Sequence, residues 1–310
     1  MSAKIKIGTR GSPLALAQAD ETRARLVAAH DGLTEGDIEI IPIKTTGDSI
    51  RDRPLLLEGG KGLFTKEIED LLLAGKIDLA VHSTKDMPAA LPGGLILAAF
   101  LEREDPRDAF LSLGVASIKD LPKGAVIGTS SLRRQAQVLR LRPDLEIVPY
   151  RGNVETRIKK MKEGEVAAIF LAAAGLNRLG LGHEITVLMS YEEMLPAPGQ
   201  GAICIEAREG DKETARLLRP LNHEPTELAV RAERAVSLAL GASCRMPLAA
   251  HASFSDNLVK ARAALFSPDG KQAWTVAGKA HGENAEALGS QLGEELLKKA
   301  DPDLIREFRV

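Results

Sequence analysis

The sequence predicts an α/β protein: two doubly wound domains forming a cleft, followed by a small α+β domain with a three-stranded antiparallel sheet. Three observations carry this reading. Strand-length apolar runs alternate with helical patterns in two successive regions, a pattern that calls for parallel strands joined by helical crossovers. Two stretches interrupt the alternation, charged residues 102–108 and proline-rich residues 196–201, and both read as crossings between domains. From Glu224 the pattern changes to one long amphipathic helix, three strands and a closing helix.

The elements follow in order. Residues 5–8 form a strand; Ser12 is a suitable N-cap and Pro13 fits the first helical position, so a helix runs to residue 26. A strand at 38–43, a helix at 64–73 ended by Gly75, and a strand at 77–82 complete the first region, the last apolar enough to be buried on both faces. The second region reads as strand 125–128, helix 132–141, strand 146–149, helix 154–162 and strand 167–171. After the second crossing, residues 202–206 resume a strand. The last region opens with helix 226–240, closed by Gly241, then strands 247–254, 257–266 and 272–279 and a helix over 284–299. Ser267-Pro268-Asp269-Gly270 is a strong hairpin turn between the last two strands. The expected domains are 1–101 with 202–219, then 107–195, then 224–310.

Charge is local rather than global. Lys and Arg total 41 against 43 Asp and Glu, which argues against a polyanion gripped over the whole surface. Aromatic residues make up only 3% of the chain, too few for the stacking platforms of single-stranded nucleic acid. The first residues pass straight into a strand pattern, without an apolar signal region or a membrane-length run, so a cytoplasmic protein with no membrane partner is expected. The two cysteines, Cys204 and Cys244, read as free thiols, and six scattered histidines suggest no metal site.

Basic and hydroxyl residues gather instead at strand-to-helix turns: Thr9-Arg10-Gly11-Ser12, Lys44-Thr45-Thr46-Gly47, Gly60-Lys61-Gly62, Ser83-Thr84-Lys85-Asp86, Gly128-Thr129-Ser130-Ser131 running into Arg133-Arg134, and Arg151-Gly152-Asn153. Exposed N–H groups and the positive helix end favour an anion at such turns, and Arg is poorly placed there without one. Ligands of open parallel sheets bind at the carboxyl ends of the strands, where these turns lie. The pattern points to a compact ligand with several negative charges, bound in the cleft. Arg157 reads equally as a site or a surface residue, while Lys160 and Lys162 read as a solvated helix face. Asp86 is either a structural partner of Lys85 or a carboxylate that stabilises a cation formed during reaction. Cys244, in a loop beside Arg245, is either a surface thiol or a nucleophile; Cys204 and His82 read as core residues. Spacing alone names no reaction.

Longer motifs go further. Ile7-Gly8-Thr9-Arg10-Gly11-Ser12-Pro13-Leu14-Ala15, Val81-His82-Ser83-Thr84-Lys85-Asp86, Arg103-Glu104-Asp105-Pro106-Arg107-Asp108-Ala109-Phe110, Gly128-Thr129-Ser130-Ser131-Leu132-Arg133-Arg134, Arg151-Gly152-Asn153-Val154 and Pro198-Gly199-Gln200-Gly201-Ala202 strongly resemble the porphobilinogen deaminase family, also called hydroxymethylbilane synthases. The match is collinear and weakens only after about Ser255. The resemblance implies a transferase of tetrapyrrole (haem and chlorophyll) biosynthesis that condenses four porphobilinogen molecules, releases ammonia and hydrolyses off a linear hydroxymethylbilane. It implies two periplasmic-binding-protein-like domains and a dipyrromethane cofactor held by a thioether, for which Cys244 is the matching position; a monomer is expected. Asp86 matches the catalytic carboxylate. Arg10, Ser12, Ser83, Lys85, Thr129, Ser131, Arg133, Arg134, Arg151, Gly152, Arg157, Arg178 and Gln200 match positions that hold acetate and propionate groups or line the site, and Lys61 and Phe64 match a mobile lid. Around the cysteine, many members have Gly-Gly before it and Gln after it, where this chain has Ala242-Ser243 and Arg245. Two rivals fit less well: a solute-binding protein of the same fold would need a signal peptide, and a nucleic-acid binder would need net positive charge or aromatic stacking.

Overall fold

The first strand, β1 (Ile5–Arg10), turns at Ser12 into α1 (Pro13–Ala29). The Ser12 side chain accepts a hydrogen bond from the Ala15 backbone N–H, so the cap read from the sequence is formed. This computed structural model describes residues 4–49, 62–243 and 246–309. There follow β2 (Ile38–Ile43), the single turn α2 (Thr46–Ser49), α3 (Lys66–Leu73), β3 (Leu79–Ser83) and β4 (Leu95–Phe100). α3 begins two residues later than the apolar pattern suggested, because Phe64 lies in the preceding turn and Thr65 occupies the N-cap.

The second region contributes β5 (Asp108–Ser112), β6 (Val126–Gly128), α4 (Leu132–Leu141), β7 (Glu146–Val148), α5 (Val154–Lys162), β8 (Ala168–Ala172), α6 (Ala173–Arg178) and β9 (Val187–Leu188). The chain then returns to the first sheet through β10 (Ile203–Arg208) and α7 (Lys212–Leu218). The sheets repeat one plan: β2-β1-β3-β10-β4 and β7-β6-β8-β5-β9. The fold class is doubly wound α/β as expected, but both sheets are mixed rather than parallel. β10 runs antiparallel to β3 and β4, and β5 antiparallel to β8 and β9. Both are entered directly from a crossing, so no helix within the sheet forces them parallel. β3 and β8 lie inside their sheets and bury four of their five residues each.

The last region begins with α8 (Glu224–Leu240), stopped at Gly241 with φ +60°. β11 (Leu248–Ser255), β12 (Leu258–Phe266) and β13 (Ala273–His281) form the expected antiparallel sheet. α9 (Ala285–Lys299) packs so closely on α8 that a Cβ at Gly289 would stand 2.1 Å from the Ala232 carbonyl oxygen. A further helix, α10 (Pro302–Phe308), follows where the sequence reading placed none; it buries Leu304, Ile305 and Phe308 against Leu240, Met246 and Leu296. By compactness the chain forms two units, Met1–Arg103 with Ala202–Glu227, and Glu104–Gly201 with Leu228–Val310, the three-stranded sheet belonging to the second. Among the described residues no helix is long and apolar enough to cross a membrane.

Candidate active site

In the first unit five predicted residues line one small cavity: Arg10, Ser12, Ser83 and Asp86 at the carboxyl ends of β1 and β3, and Phe64 from the turn before α3. Parallel pairing of β1 with β3 is the cause, since it places Arg10 and the turn after Ser83 at the same sheet edge. Thr84–Asp86 forms one 3₁₀ turn, anchored where the Thr84 N–H donates to the Ala202 carbonyl on the way into β10. Asp86 is 3.9 Å from Arg10, and its side chain keeps 38% of its surface exposed. The Arg10 guanidinium also lies 4.2 Å over the Phe64 ring, a cation–π contact. Ser83 donates to the Gln18 side chain from α1. Lys85 is half-buried in the same turn. Lys61 and Cys244 lie outside the described residues.

The second unit gathers the other group. Ser131 caps α4, its Oγ accepting from the Arg134 N–H, and Thr129 Oγ1 accepts from the Ser131 N–H. Behind the cap, Asp108 opens β5 with no exposed surface at all. Its carboxylate takes Nη1 and Nη2 of Arg133 at 2.7 and 3.2 Å and Nε and Nη2 of Arg134 at 2.9 and 2.6 Å. Arg133 also donates to the Leu195 carbonyl and, at 3.5 Å, to Gln200 Oε1. Burial pushes the Asp108 carboxyl up, yet the two guanidiniums outweigh it and hold the group well below the usual carboxylate range. Burial and the neighbouring Arg133 lower Arg134. Gln200 donates to the Pro106 carbonyl and Arg178 to the Gly201 carbonyl, so the second crossing is tied down by predicted site residues. Gly152 has φ +123°, and a side chain there would press on Thr156 at 3.1 Å. Arg151 and Arg157 are half-buried around this turn.

The structure therefore places Arg133 and Arg134 in a buried triad with Asp108. Sequence reasoning assigned Asp108 only to a crossing; the signal that could have found it is a lone acid opening the apolar run Ala109-Phe110-Leu111. It also missed Glu233 on α8, whose buried carboxylate accepts the Gly199 N–H at 2.6 Å and the Ala252 N–H at 2.7 Å, joining the second crossing to β11. The two ends of the Cys244 loop are held: Ser243 Oγ donates to the Phe308 carbonyl, and the Met246 N–H to the Ser243 carbonyl. Cys204 is fully buried, as its apolar surroundings in the sequence suggested.

In each unit the parallel strands end in basic turns that lead into a serine-capped helix, the arrangement of an α/β protein that binds anions. Family models place it within that class. The porphobilinogen deaminase dipyromethane cofactor binding domain matches residues 5–216, and the porphobilinogen deaminase C-terminal domain matches residues 227–298. The chain belongs to the porphobilinogen deaminase family. Chloroplastic porphobilinogen deaminase of Oryza sativa subsp. japonica is 52% identical over 302 residues, covering 96% of this chain and 84% of that protein. Porphobilinogen deaminase of Nitrobacter hamburgensis is 51% identical over 294 residues, covering 95% and 93%. Among solved structures, a periplasmic substrate-binding protein of an ABC transporter from Coxiella burnetii aligns with a TM-score of 0.43 at 15% identity, over 74% of this chain and 96% of that one.

Proposed function

We propose that this transferase joins porphobilinogen units head to tail, releasing ammonia at each addition, and hydrolyses the product away as hydroxymethylbilane, in tetrapyrrole biosynthesis. Beyond family membership, the observation that carries the reading is the Asp108–Arg133–Arg134 triad. One carboxylate against two guanidiniums leaves a net positive charge, next to the positive end of α4. A pyrrole bearing acetate and propionate groups supplies the counter-charge.

The same donor set fits a dipyrromethane, whose rings carry the same two acids. Arg133, Arg134, Ser131, Thr129, Gln200, Arg151, Gly152, Arg157 and Arg178 would hold its carboxylates and those of the growing chain, and Cys244 would bind it as a thioether. When bound, that group supplies the pyrrole α-carbon from which the chain grows. Arg10, Ser12, Ser83 and Lys85 bind the carboxylates of the incoming substrate, with Phe64 on the cavity wall; the 3.9 Å pair between Arg10 and Asp86 is weak enough to exchange for such an acid. Lys61, outside the described residues, is assigned with Phe64 to the proposed mobile lid.

Asp86 does the chemistry. Loss of ammonia from the aminomethyl carbon leaves a cationic, azafulvene-like substrate, and a fixed carboxylate in a partly dehydrated cavity stabilises it. The same carboxylate takes the proton that the attacked ring gives up. The reading includes a monomer at work in the cytoplasm, with no nucleic-acid or membrane partner, as balanced charge suggests. The test is porphobilinogen consumption by purified protein: ammonia and hydroxymethylbilane form in proportion, whereas cofactor-loaded protein that consumes none contradicts the assignment.

A further inference from the structure

Beside the Asp86 cavity lies a buried cluster with no part in the chemistry so far. His82 precedes the 84–86 turn by two residues and, with Thr65, lines the same cavity as Asp86. Its Nε2 stands 3.2 Å from Glu206 Oε2 on the adjacent antiparallel strand. Glu206 has no exposed surface, and His82 is 5% exposed. Glu69 reaches the cluster from α3, which packs on this face of the sheet through Ile68 and Leu72, and is also 5% exposed. One oxygen of each carboxylate, Glu206 Oε1 and Glu69 Oε1, has no hydrogen-bond partner among the described residues, and neither has the Thr65 nor the Thr84 hydroxyl.

A purely structural pair would have these valences met, because an unmatched buried oxygen weakens a fold and most are satisfied. Here two carboxylates and an imidazole share one buried compartment, with one oxygen of each carboxylate unmatched among the described residues. Burial raises the Glu69 carboxyl above its ordinary range, the Glu206 charge adds to this and His82 opposes it. His82, in the wall of the Asp86 cavity, thus has buried carboxylate acceptors behind it.

We propose that His82, backed by Glu206 and Glu69, relays the proton that Asp86 takes up at each condensation; the proposal rests on the role given to Asp86 above. The C–N bond of the substrate's protonated aminomethyl group breaks with its electron pair on nitrogen, giving ammonia and the azafulvene-like cation. The methylene carbon then bonds to a pyrrole α-carbon, and that carbon's C–H bond yields its proton to the Asp86 carboxylate. The relay passes the proton through His82 into the carboxylate cluster and returns it to the released ammonia as ammonium, restoring Asp86 for the next addition. His82 acts through Asp86 and is a positioning residue in this sense.

The experiment compares cofactor-loaded wild type with His82→Gln, Glu206→Gln, Glu69→Gln and Asp86→Asn. Each is read by intact mass, thermal melt, porphobilinogen kinetics and native mass spectrometry of the bound chain. His82→Gln is expected to lower kcat about 100-fold, the lower end for a positioned proton transfer. Its KM should stay within twofold, its adduct intact, and complexes carrying one to three added units should accumulate. Glu206→Gln, nearly isosteric, should lower kcat about tenfold and decides the matter if His82→Gln yields no folded protein. In wild type, single-turnover rates in mixed light and heavy water should show more than one proton in flight. A linear proton inventory, or unchanged kcat in the folded His82 or Glu206 variant, overturns the relay. If Asp86→Asn is itself fully active, the assignment of Asp86 has failed first, and the two failures are thereby told apart.

Discussion

Asp108 Oδ1 accepts from both Nε and Nη2 of Arg134, at 2.9 and 2.6 Å, while Oδ2 and Oδ1 are also held by Arg133. This joins the first residue of β5 to the first turn of α4 inside the second unit, and it accounts for why two adjacent arginines at a helix start are buried.

The pair has a pH signature. A carboxyl whose folded pKa is depressed contributes stability above its unfolded value, about 3.9, and loses it as pH falls through the folded value. The thermal midpoint should therefore fall steeply once pH drops below about 4. Asp108→Asn should lower the midpoint at pH 7 and flatten its acid dependence. Circular dichroism melts from pH 2.5 to 7 check this; equal acid sensitivity in both proteins contradicts it.

Arg134→Ala leaves Asp108 to Arg133 alone and the Phe170 carbonyl without its donor, and should cost about 1–3 kcal/mol. Lys160→Ala removes an exposed partner of Glu165, 3.5 Å away, and should change stability by no more than about 0.5 kcal/mol. Chemical denaturation of both variants separates the two effects; mild, equal losses would mean that the triad is ordinary surface charge.

Asp86→Asn keeps the shape of the side chain and loses charge and basicity, so it should nearly abolish turnover with an unchanged melt. Asp86→Glu keeps both properties with displaced oxygens and should retain partial activity. Porphobilinogen consumption beside a melt for each variant decides it. Wild-type rates in Asp86→Asn would leave Asp86 as a structural partner of Arg10.

Glu233 accepts two backbone N–H groups on segments far apart in sequence, Gly199 and Ala252. Glu233→Ala leaves both donors buried without that acceptor, at about 1–3 kcal/mol each. The melt should fall by several degrees, and hydrogen exchange should speed up at Gly199 and Ala252 first. Unchanged exchange at both positions would rule out the latch.

Much of this was legible because local chemistry dictates it. Ser12 and Pro13 announce the start of α1, the Ser267–Gly270 turn announces the β12–β13 hairpin, and α4 occupies the residues its periodicity marked. What escaped depends on partners rather than on period. Nothing local to Ile203-Cys204-Ile205 says that β10 runs antiparallel between β3 and β4. Nothing local to Asp108 says that it will meet two arginines from a helix that starts 24 residues later. The basic turns were read as ligand positions from helix electrostatics, and two of them, 9–12 and 83–86, meet at one cavity in the first unit. The division of the two triad arginines between structure and ligand could not be read without knowing where Asp108 lies.

The central claim is that a covalent dipyrromethane on Cys244 makes this chain a working deaminase. Intact-protein mass spectrometry tests it most directly, on wild type, Cys244→Ala and Cys204→Ala. Wild type should be heavier than its 310-residue sequence by one dipyrromethane. Cys204→Ala should keep the adduct and the activity, and Cys244→Ala should lose both while remaining folded. An adduct that persists in Cys244→Ala, or full turnover by protein of unmodified mass, would contradict the account.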